Sequence, residues 1–544
     1  MSNVKHDMTQ PPDLKVTSGT GPVRSKHPVY QDSLPPCNHA CPAGENIQSW
    51  LSLVQEQRYE EAWQRLIENN PMPAIHGRVC YHPCESACNR LQVDQSVSIH
   101  AVERFLGDMA LEQGWTPRIT APDSGKKVLV IGAGPSGLSC AWHLRRLGHQ
   151  VEIREAGPMA GGMMRFGIPA YRMPRDVLDS EISNLLSSGI TLTLNHKVED
   201  VLQEKQQGGF DAVFMAIGAH LAKKTDIPAR EAGKILDAVS YLSAVERGDA
   251  PKLGRRVAIY GGGNTAMDAA RTARRLGADE AMIIYRRDIE HMPAHRFEAE
   301  EAMEEGVKIN WLRTIRNIDS TTFTVEEMAI DANGRPQPTG RVETLQADSL
   351  ILALGQDVDT RVLERIPGLT IRPDGIIDVD EHMMTAVTGI FAGGDMVPSE
   401  RTVTIATGHG KKAAHHIDGW LKRQPYHKPA SGPVLEYPHL HLWFNTEANA
   451  SSQPAIAPEQ RGGFDEIIGG LNREQATYEA TRCYSCGNCF ECDGCYGACP
   501  ENAVIKLGKG LHYRFDYDKC TGCEACYRQC PCHAIEMNAE EVAQ

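Results

Sequence analysis

A chain of 544 residues is too long for one hydrophobic core, because single cores stop growing at about 250–300 residues, so several domains are expected. The formal net charge of −14 argues against a nucleic-acid partner. No apolar run approaches the roughly 18 residues of a membrane helix, and the polar stretch 1–26 lacks the apolar core of a signal peptide. We therefore predict a cytoplasmic, multidomain protein with a disordered or extended lead over residues 1–30.

The 17 cysteines lie mainly near the two ends of the chain. One group spans residues 37–88 and the other spans residues 483–532. Cys140 stands alone on a predicted helix, where its thiol is expected to be packed rather than reactive. In a long chain without an export signal, such groups indicate metal sites rather than disulfides.

A short apolar run followed by glycines predicts a first nucleotide-binding loop. Gly132, Gly134 and Gly137 have G-x-G-x-x-G spacing. The first glycine permits a tight turn, the second lets a pyrophosphate approach, and the third lets the helix pack on the strand. An ordinary glycine-rich turn would share this spacing. The next strand, however, ends at Glu155, where a ribose 2′-OH needs an acid, so we predict a dinucleotide site.

A second loop has the same pattern, with Gly261 and Gly263 followed by Ala266, a known variant of the third glycine. The strand after it runs into Arg286 and Arg287, where an NAD site would place an acid. Paired arginines offer bidentate donors to a 2′-phosphate, which favours NADP(H) over NAD(H). A solvated charge pair is the alternative interpretation.

The C-terminal cysteines repeat the pattern C-x2-C-x2-C-x3-C-P twice. This is the signature of the two-cluster bacterial ferredoxin, in which the fourth cysteine of each run ligates the other cluster. Zinc uses isolated C-x2-C pairs and does not explain the duplicated run. We predict two [4Fe-4S] clusters, one on Cys489, Cys492, Cys495 and Cys530 and the other on Cys520, Cys523, Cys526 and Cys499. Cys532 is expected to be a spare thiol.

Residues 37–120 show apolar residues at helical spacing together with two further cysteine patterns. Buried structural cysteines are the alternative interpretation. The region resembles the N-terminal iron–sulfur domain of the glutamate synthase small subunit and of dihydropyrimidine dehydrogenase. The matching segments are Cys37-Asn-His-Ala-Cys41-Pro, Gly77-Arg-Val-Cys80, Cys84-Glu-Ser-Ala-Cys88 and Ile99-His-Ala-Val-Glu-Arg-Phe105.

The resemblance implies two [4Fe-4S] clusters in this region. One would be held by Cys41, Cys80, Cys84 and Glu103, where the family places a Glu or Gln ligand. Cys37 and Cys88 would belong to the other cluster, whose remaining pair comes from an upstream Cys-x2-Cys that this chain lacks.

Our hypothesis is that Cys483 and Cys486 replace the missing pair, because they follow a Glu-Ala-x-Arg similar to that before the family's own pair. The tail would then fold back on the head of its own chain or of a dimer partner. A shifted tail cluster that uses either thiol, or two free thiols, are the alternatives.

The resemblance also places residues 161–169 in a flavin pocket, and 389–395 is similar to the late Gly-Asp motif of two-dinucleotide flavoproteins. A helix expected over 402–414 would point its N-terminus at the flavin ring. The predicted FAD contacts are Gly132, Gly134, Pro135, Ser136, Gly137, Glu155, Gly161, Gly162, Arg165, Gly218, Gly394 and Asp395. The predicted NADP contacts are Gly261, Gly263, Asn264, Thr265, Ala266, Arg286 and Arg287.

The predicted fold class is α/β, a two-dinucleotide-binding-domain flavoprotein with two Rossmann-like domains. A helical iron–sulfur domain precedes these domains and an α+β bacterial-ferredoxin domain follows them. Expected boundaries are 31–120 for the helical domain, 121–240 and 349–424 for the FAD domain, 241–348 for the NADP domain, 425–470 for a linker and 471–544 for the ferredoxin domain.

The expected activity is hydride transfer between NADPH and FAD, with single electrons passing through the clusters to or from ferredoxin or a larger partner, such as a 2-oxoacid:ferredoxin oxidoreductase. Disulfide reduction at the flavin is excluded, because no cysteine lies between Cys140 and Cys483. The alternative is the small subunit of glutamate synthase, against which the ferredoxin tail counts. A non-catalytic wiring subunit is opposed by the intact glycines of both loops.

Overall fold

The structure is a computed structural model that describes residues 24–223, 229–230, 234–443 and 445–540. Most of the predicted lead lies outside the described residues. The N-terminal region consists of one strand and six helices: β1 (Lys26–Tyr30), α1 (Pro36–Ala40), α2 (Ile47–Gln55), α3 (Tyr59–Ile67), α4 (Pro73–Val79), α5 (Pro83–Ser86) and α6 (Ile99–Gln113).

The first α/β segment contains β2 (Lys127–Ile131), α7 (Pro135–Arg146), β3 (Gln150–Arg154), α8 (Met163–Phe166), α9 (Arg175–Leu186), β4 (Thr191–Thr193), α10 (Val201–Gln207) and β5 (Ala212–Met215). The second contains β6 (Leu221–Ala222), β7 (Ala229–Arg230), β8 (Lys234–Asp237), α11 (Ala238–Glu246), β9 (Arg256–Tyr260), α12 (Asn264–Arg275), β10 (Glu280–Tyr285), α13 (Arg296–Glu304), β11 (Lys308–Trp311), β12 (Arg313–Asp319), β13 (Thr322–Ile330), β14 (Pro336–Gln346), β15 (Ser349–Leu352) and β16 (Gln356–Asp357).

The remaining elements are β17 (Ile390–Ala392), α14 (Val403–Leu421), α15 (Arg473–Thr481), α16 (Gly494–Ala498), β18 (Val504–Lys506), β19 (Tyr513–Phe515), α17 (Ala525–Arg528) and β20 (Ile535–Ala539). The helix expected over 402–414 is α14, capped by the Thr402 hydroxyl, which accepts the Ile405 N–H at 3.1 Å. Among the helices of the described residues, none is long and apolar enough to cross a membrane.

A parallel five-stranded sheet in the order β17-β5-β2-β3-β4 carries the first loop. Its central strand is buried on both faces, as its unbroken apolar run requires, and Val130 lies between Ile153 of β3 and Phe214 of β5. Helices α7 and α14 cover one face of this sheet. The first loop therefore lies at the carboxyl edge of the central strand.

A second parallel sheet has the order β11-β10-β9-β15-β8 and carries the second loop. Two strands cross the boundaries expected from the sequence. Lys234–Asp237 and Ser349–Leu352 were assigned to the FAD domain, but β15 pairs with β8 and β9 of the second sheet. Buried parallel strands look alike in sequence, so only the pairing shows which sheet a strand joins.

The two ends of the chain exchange elements. Strand β1 pairs antiparallel with β20 of the ferredoxin region, from Lys26 beside Ala539 to Tyr30 beside Ile535. Helix α15, in turn, packs its buried Ala476 and Ala480 into the core of the N-terminal helices. The boundary expected at residue 471 is therefore displaced, because α15 belongs to the N-terminal core and not to the ferredoxin region.

Candidate functional site

A cavity of about 1460 Å³ lies between the two parallel sheets, and both nucleotide loops line it. The walls include Gly132, Gly134 and Ser136 of the first loop and Gly261 and Gly263 of the second. This volume exceeds the about 300–1,000 Å³ of an ordinary small-molecule site. The cavity thus has room for two dinucleotides that meet between the sheets.

The glycines of the first loop have distinct surroundings. A Cβ on Gly132, whose φ is +104°, would lie 2.3 Å from the Ala216 carbonyl oxygen, and a Cβ on Gly137 would lie 2.0 Å from the Gly132 oxygen. Around Gly134 the nearest atom is the Gly162 Cα at 3.9 Å. The first and third glycines therefore serve close packing, and the second leaves the backbone open to a pyrophosphate.

Glu155 and Ser136 present polar groups to this cavity. The Glu155 carboxylate accepts the N–H groups of Ala133 and Gly157, both at 2.8 Å, which holds it at the end of β3. The Ser136 hydroxyl is buried and has no hydrogen-bond partner among the described residues. An unsatisfied hydroxyl at the N-terminus of α7 fits a bound phosphate.

Beside Ser136, Gly394 and Asp395 follow β17, and Thr402 opens α14; a Cβ on Gly394 would lie 3.1 Å from the Ser136 Cβ. Burial raises the pKa of the Asp395 carboxyl. The Gly394 N–H donates to Nδ1 of His409 at 3.2 Å. Gly162 and Gly218 also line the cavity, so these predicted flavin contacts surround one space.

Four predicted cofactor residues lie away from the cavity wall: Gly137, Gly161, Arg165 and Ala266. The Arg165 guanidinium is buried, donates to the Ala160 carbonyl at 2.7 Å and pairs with Asp179 and Glu246. The prediction of a direct cofactor contact does not agree with this position. Arg165 stabilises the turn behind the flavin pocket instead.

The second loop has a similar arrangement. A Cβ on Gly261 would lie 2.2 Å from the Ala353 carbonyl oxygen, whereas a Cβ on Gly263 would meet no atom of the described residues within 4 Å. Asn264, Thr265, Arg286 and Arg287 line the cavity beside it. The Arg287 Nε is buried without a hydrogen-bond partner among the described residues, as a site for a 2′-phosphate requires.

Two residues outside the predicted site join the domains at this cavity. Tyr81, directly after Cys80, accepts a hydrogen bond from the Asn264 amide at 2.5 Å and stacks on His295 with ring centroids 3.6 Å apart. Arg172 pairs with Asp268 at 2.9 Å and Glu298 at 2.6 Å. The two residues of each contact lie far apart in the sequence, so no local pattern indicates these contacts.

Beside the main cavity lies the proximal site, which we define as Cys41, Cys80, Cys84 and Glu103. These residues line one small pocket with Glu45, His76 and Thr404. Thr404 belongs to the first turn of α14, and its neighbours Thr402 and Val403 line the main cavity. One helix turn therefore separates the predicted flavin position from these thiols.

Among the donors of the proximal site, Cys84 and Glu103 are buried, and Cys41 and Cys80 are partly buried. Burial raises the pKa of the Cys41 and Cys84 thiols, and raises that of Cys80 to about 12. Burial and the adjacent Glu45 also raise the pKa of Glu103, which accepts the Asn70 amide at 2.7 Å. Bound iron would replace these thiol protons, and a set of three soft thiolates fits an iron–sulfur cluster rather than a hard cation.

His76 and Glu45 were also missed by the sequence analysis. The His76 Nδ1 donates to the Met72 carbonyl at 2.9 Å, and its buried Nε2 has no partner among the described residues. Burial lowers the pKa of His76 to about 4. A neutral imidazole therefore faces the pocket, which agrees with a site that holds a further group.

The split site, which we define as Cys37, Cys88, Cys483 and Cys486, draws on both ends of the chain. Burial raises the pKa of Cys37, and the nearby Cys483, Cys88 and Cys486 raise it further. The Asn89 amide donates to the Cys486 sulfur at 3.4 Å. The structure thus brings the four thiols together within a single chain.

Helix α15 holds the two tail thiols in place. Asn472 and Gln475 form a capping box at its start. At its end, the buried Arg482 donates to the Ser96 carbonyl at 2.8 Å and pairs with buried Glu479 at 2.9 Å. A run of tail residues is thereby fixed to the N-terminal domain just before Cys483.

Two sites lie in the ferredoxin region: the inner tail site (Cys489, Cys492, Cys495 and Cys530) and the outer tail site (Cys520, Cys523, Cys526 and Cys499). Burial and the nearby Cys495 and Cys530 raise the pKa of Cys489 to about 12. Burial likewise raises the pKa of Cys526, where Cys520, Cys495 and Cys499 add to the effect. Both predicted ligand sets are therefore assembled, and Cys523 of the outer set is exposed.

Family models and known proteins agree with this architecture. Residues 126–410 match the pyridine nucleotide-disulphide oxidoreductase model. Residues 30–115 match domain II of dihydropyrimidine dehydrogenase, described as a 4Fe-4S cluster domain, and residues 513–536 match a 4Fe-4S binding domain. The predicted fold class and the prediction of a flavoprotein oxidoreductase with [4Fe-4S] domains are confirmed.

The chain is similar to three relatives along most of its length. It is 34% identical to the NADP(+)-dependent formate dehydrogenase subunit beta of Moorella thermoacetica over 83% of this chain and 70% of that protein. It is 31% identical to the NADPH-Fe(3+) oxidoreductase subunit beta of Geobacter sulfurreducens over 83% of this chain and 75% of that protein. It is 34% identical to the glutamate synthase [NADPH] small chain of Azospirillum brasilense over 72% of this chain and 87% of that protein.

The family takes its name from disulfide reduction, but of the described residues that line the main cavity none is cysteine. Apart from Cys140 and Cys532, the thiols lie in four groups outside it. The chain therefore belongs to the pyridine nucleotide-disulphide oxidoreductase family, as a member that carries iron–sulfur domains at both ends.

Proposed function

We propose that the chain is an NADPH-dependent electron-transfer oxidoreductase that exchanges electron pairs for single electrons. The observation that carries this proposal is the main cavity, which both nucleotide loops line and which lies one helix turn from the proximal thiols. When bound, FAD would accept a hydride from NADPH and release its electrons singly to [4Fe-4S] clusters.

The chain's own residues position these groups. Gly134, Ser136, Glu155 and Asp395 would hold FAD, and Gly263, Arg286 and Arg287 would hold NADPH. The pairs from Arg172 to Asp268 and Glu298 keep the second sheet against the first. This preorganisation places the two ligands so that they meet, and no catalytic base is required.

We propose that the four thiol sites form one route for electrons. The proximal site adjoins the split site, since Cys37 lies near Cys84. The split site leads to the inner tail site through the Gly487 N–H, which donates to the Cys532 carbonyl at 2.6 Å. The route would then reach the outer tail site, and each tail site has one exposed cysteine, Cys492 in the inner site and Cys523 in the outer site, at which a partner could dock.

We further propose that the chain is the electron-input subunit of a larger complex, or serves a ferredoxin. Two of its relatives are named as beta subunits and the third as a small chain, which supports a partner subunit. A role as the small subunit of glutamate synthase is the alternative. The tail of eleven cysteines favours a ferredoxin-like partner over that alternative.

The test is anaerobic reduction of the purified protein by NADPH or NADH, followed by flavin absorbance and by EPR of the reduced clusters. NADPH should bleach the flavin absorbance and produce EPR signals of reduced clusters. In a non-catalytic electron-transfer subunit, neither nucleotide would bleach the flavin.

The double variant Arg286→Ala with Arg287→Ala should weaken NADPH binding by about 1.5–3 kcal/mol per lost charged hydrogen bond and leave NADH almost unchanged. Arg296→Ala is the matched control, because Arg296 is exposed and its ion pair within the described part of the chain is with Glu300 of its own helix. Equal losses for both nucleotides would contradict the 2′-phosphate assignment.

A further inference from the structure

The two ferredoxin half-motifs share a backbone hydrogen bond at their fourth cysteine. The sequences are Cys499-Pro-Glu-Asn-Ala503 and Cys530-Pro-Cys-His-Ala534. In each one the alanine N–H donates to the sulfur of the fourth cysteine at 3.2 Å. This backbone contact is common to both halves, which differ in their side chains.

The halves differ at the second residue after that cysteine. Glu501 is exposed, and an ionised carboxylate has no proton to donate. Cys532 occupies the equivalent position, is 2% exposed, and its sulfur lies 3.8 Å from the Cys530 sulfur. If Cys530 is a thiolate ligand, the proton of this contact belongs to Cys532, so Cys532 is the donor.

A second side chain contacts the same site. The Tyr30 hydroxyl lies 3.3 Å from the Cys495 sulfur. Strand β1 carries Tyr30, and its ring stacks on Phe515 with centroids 4.6 Å apart, which fixes the hydroxyl over the sulfur. A ligand thiolate again leaves only the tyrosine to donate. Two ligands of the inner tail site thus receive side-chain hydrogen bonds.

We propose that Tyr30 and Cys532 are positioning residues that raise the reduction potential of the inner tail cluster, an inference that rests on the ligand sets of the proposed function. Hydrogen bonds to cluster sulfurs are among the features that set the potential. They stabilise the form with one more electron, because its sulfurs carry more negative charge. An electron that leaves the split site would then reduce the inner cluster first, before it is transferred to the outer cluster and the partner.

The experiment is an EPR-monitored redox titration of the full chain in Tyr30→Phe, Cys532→Ala and the double variant. A separate Cys523→Ser variant changes the EPR signal of the outer tail cluster and so identifies which signal belongs to which tail cluster. Each single variant should lower the inner cluster's ratio of reduced to oxidised form by about fivefold at a fixed ambient potential, and the double variant should lower it further. Cys532→Ser, which keeps a donor, should restore most of the wild-type ratio.

Two matched controls separate this effect from general damage. Tyr517→Phe removes a tyrosine hydroxyl that donates to the Pro28 carbonyl at 3.0 Å, and Glu501→Gln changes the position equivalent to Cys532. Neither should shift the inner cluster.

Intact clusters with unchanged potentials, or equal shifts of both tail clusters, would overturn the inference. Loss of the inner cluster in Cys532→Ala would also overturn it, because Cys532 would then be the ligand. A failure of the proposed ligand set is measured separately. If Cys530 is not a ligand of the inner tail cluster, Cys530→Ser would leave the iron content at the wild-type level.

Discussion

The inner tail site and the split site use the same kind of ligand but are assembled in different ways. Three thiols of the inner tail site come from one short stretch, Cys489 to Cys495, with Cys530 close behind in the same small domain. The split site takes Cys37 and Cys88 from the head and Cys483 and Cys486 from the tail. The ligands of the first all come from the tail, whereas the ligands of the second come together only when the two ends are folded against each other.

The exchange of β1 and α15 explains how that dependence is met. Strand β1 of the head pairs with β20 of the ferredoxin region, and helix α15 of the tail packs into the apolar core of the head. Neither iron–sulfur region is therefore complete without the other end of the chain. The ferredoxin region is therefore packed against the N-terminal domain and is not a separate domain on a flexible linker.

The largest expected effect comes from Cys483→Ser with Cys486→Ser. We expect loss of the split cluster, about four iron atoms per chain, with the EPR signals of the tail clusters retained, because the ferredoxin motif does not use these thiols. Iron analysis and EPR measure this outcome.

Cys140→Ala, a buried thiol in α7 away from every site, is the control and should lose no iron. Loss of only the tail signals, or no loss at all, would rule out the split-site assignment and favour a shifted cluster or free thiols.

An intermediate effect is expected for Arg482→Ala. This change leaves the fully buried Glu479 without its charged partner, which costs about 3–5 kcal/mol. Because a chain of several domains does not unfold in one step, the measurement is amide hydrogen exchange of α15, which should become faster. Glu474→Ala, an exposed change in the same helix, should have little effect, and unchanged exchange in Arg482→Ala would show that the Arg482 contacts do not anchor α15.

The smallest effect is expected for Lys509→Ala. Lys509 reaches from the ferredoxin region to Glu56 at the end of α2, at 3.0 Å, but its side chain is 70% exposed. Exposed ion pairs contribute about 0–1 kcal/mol, so the exchange of α15 and the iron content should stay near wild type. A large loss of either would mean that surface charge, rather than the buried contacts of α15, joins the two ends.

Much of the candidate site was predictable because its chemistry depends on short spacings. The glycines of both loops and the duplicated cysteine run each define a local backbone shape, so counting residues is sufficient to find them. The prediction failed where packing decides. Arg165 lies next to the flavin glycines in sequence, yet its guanidinium turns toward Asp179 and Glu246. Tyr81 and His76 belong to no motif, and the segment 171–174 that contains Arg172 does not indicate its pairs with Asp268 and Glu298.

The amino-acid sequence by itself determined the two nucleotide loops, the ferredoxin motif and the absence of a cysteine pair between the loops, because these are properties of residue type and spacing. Only the tertiary structure decided which sheet β8 and β15 join, and that the head and tail thiols meet within one chain. Those features depend on burying α15 in a distant core and on pairing β1 with β20. Contacts between residues so far apart in the chain are selected by packing and hydrogen-bond satisfaction, which no local pattern encodes.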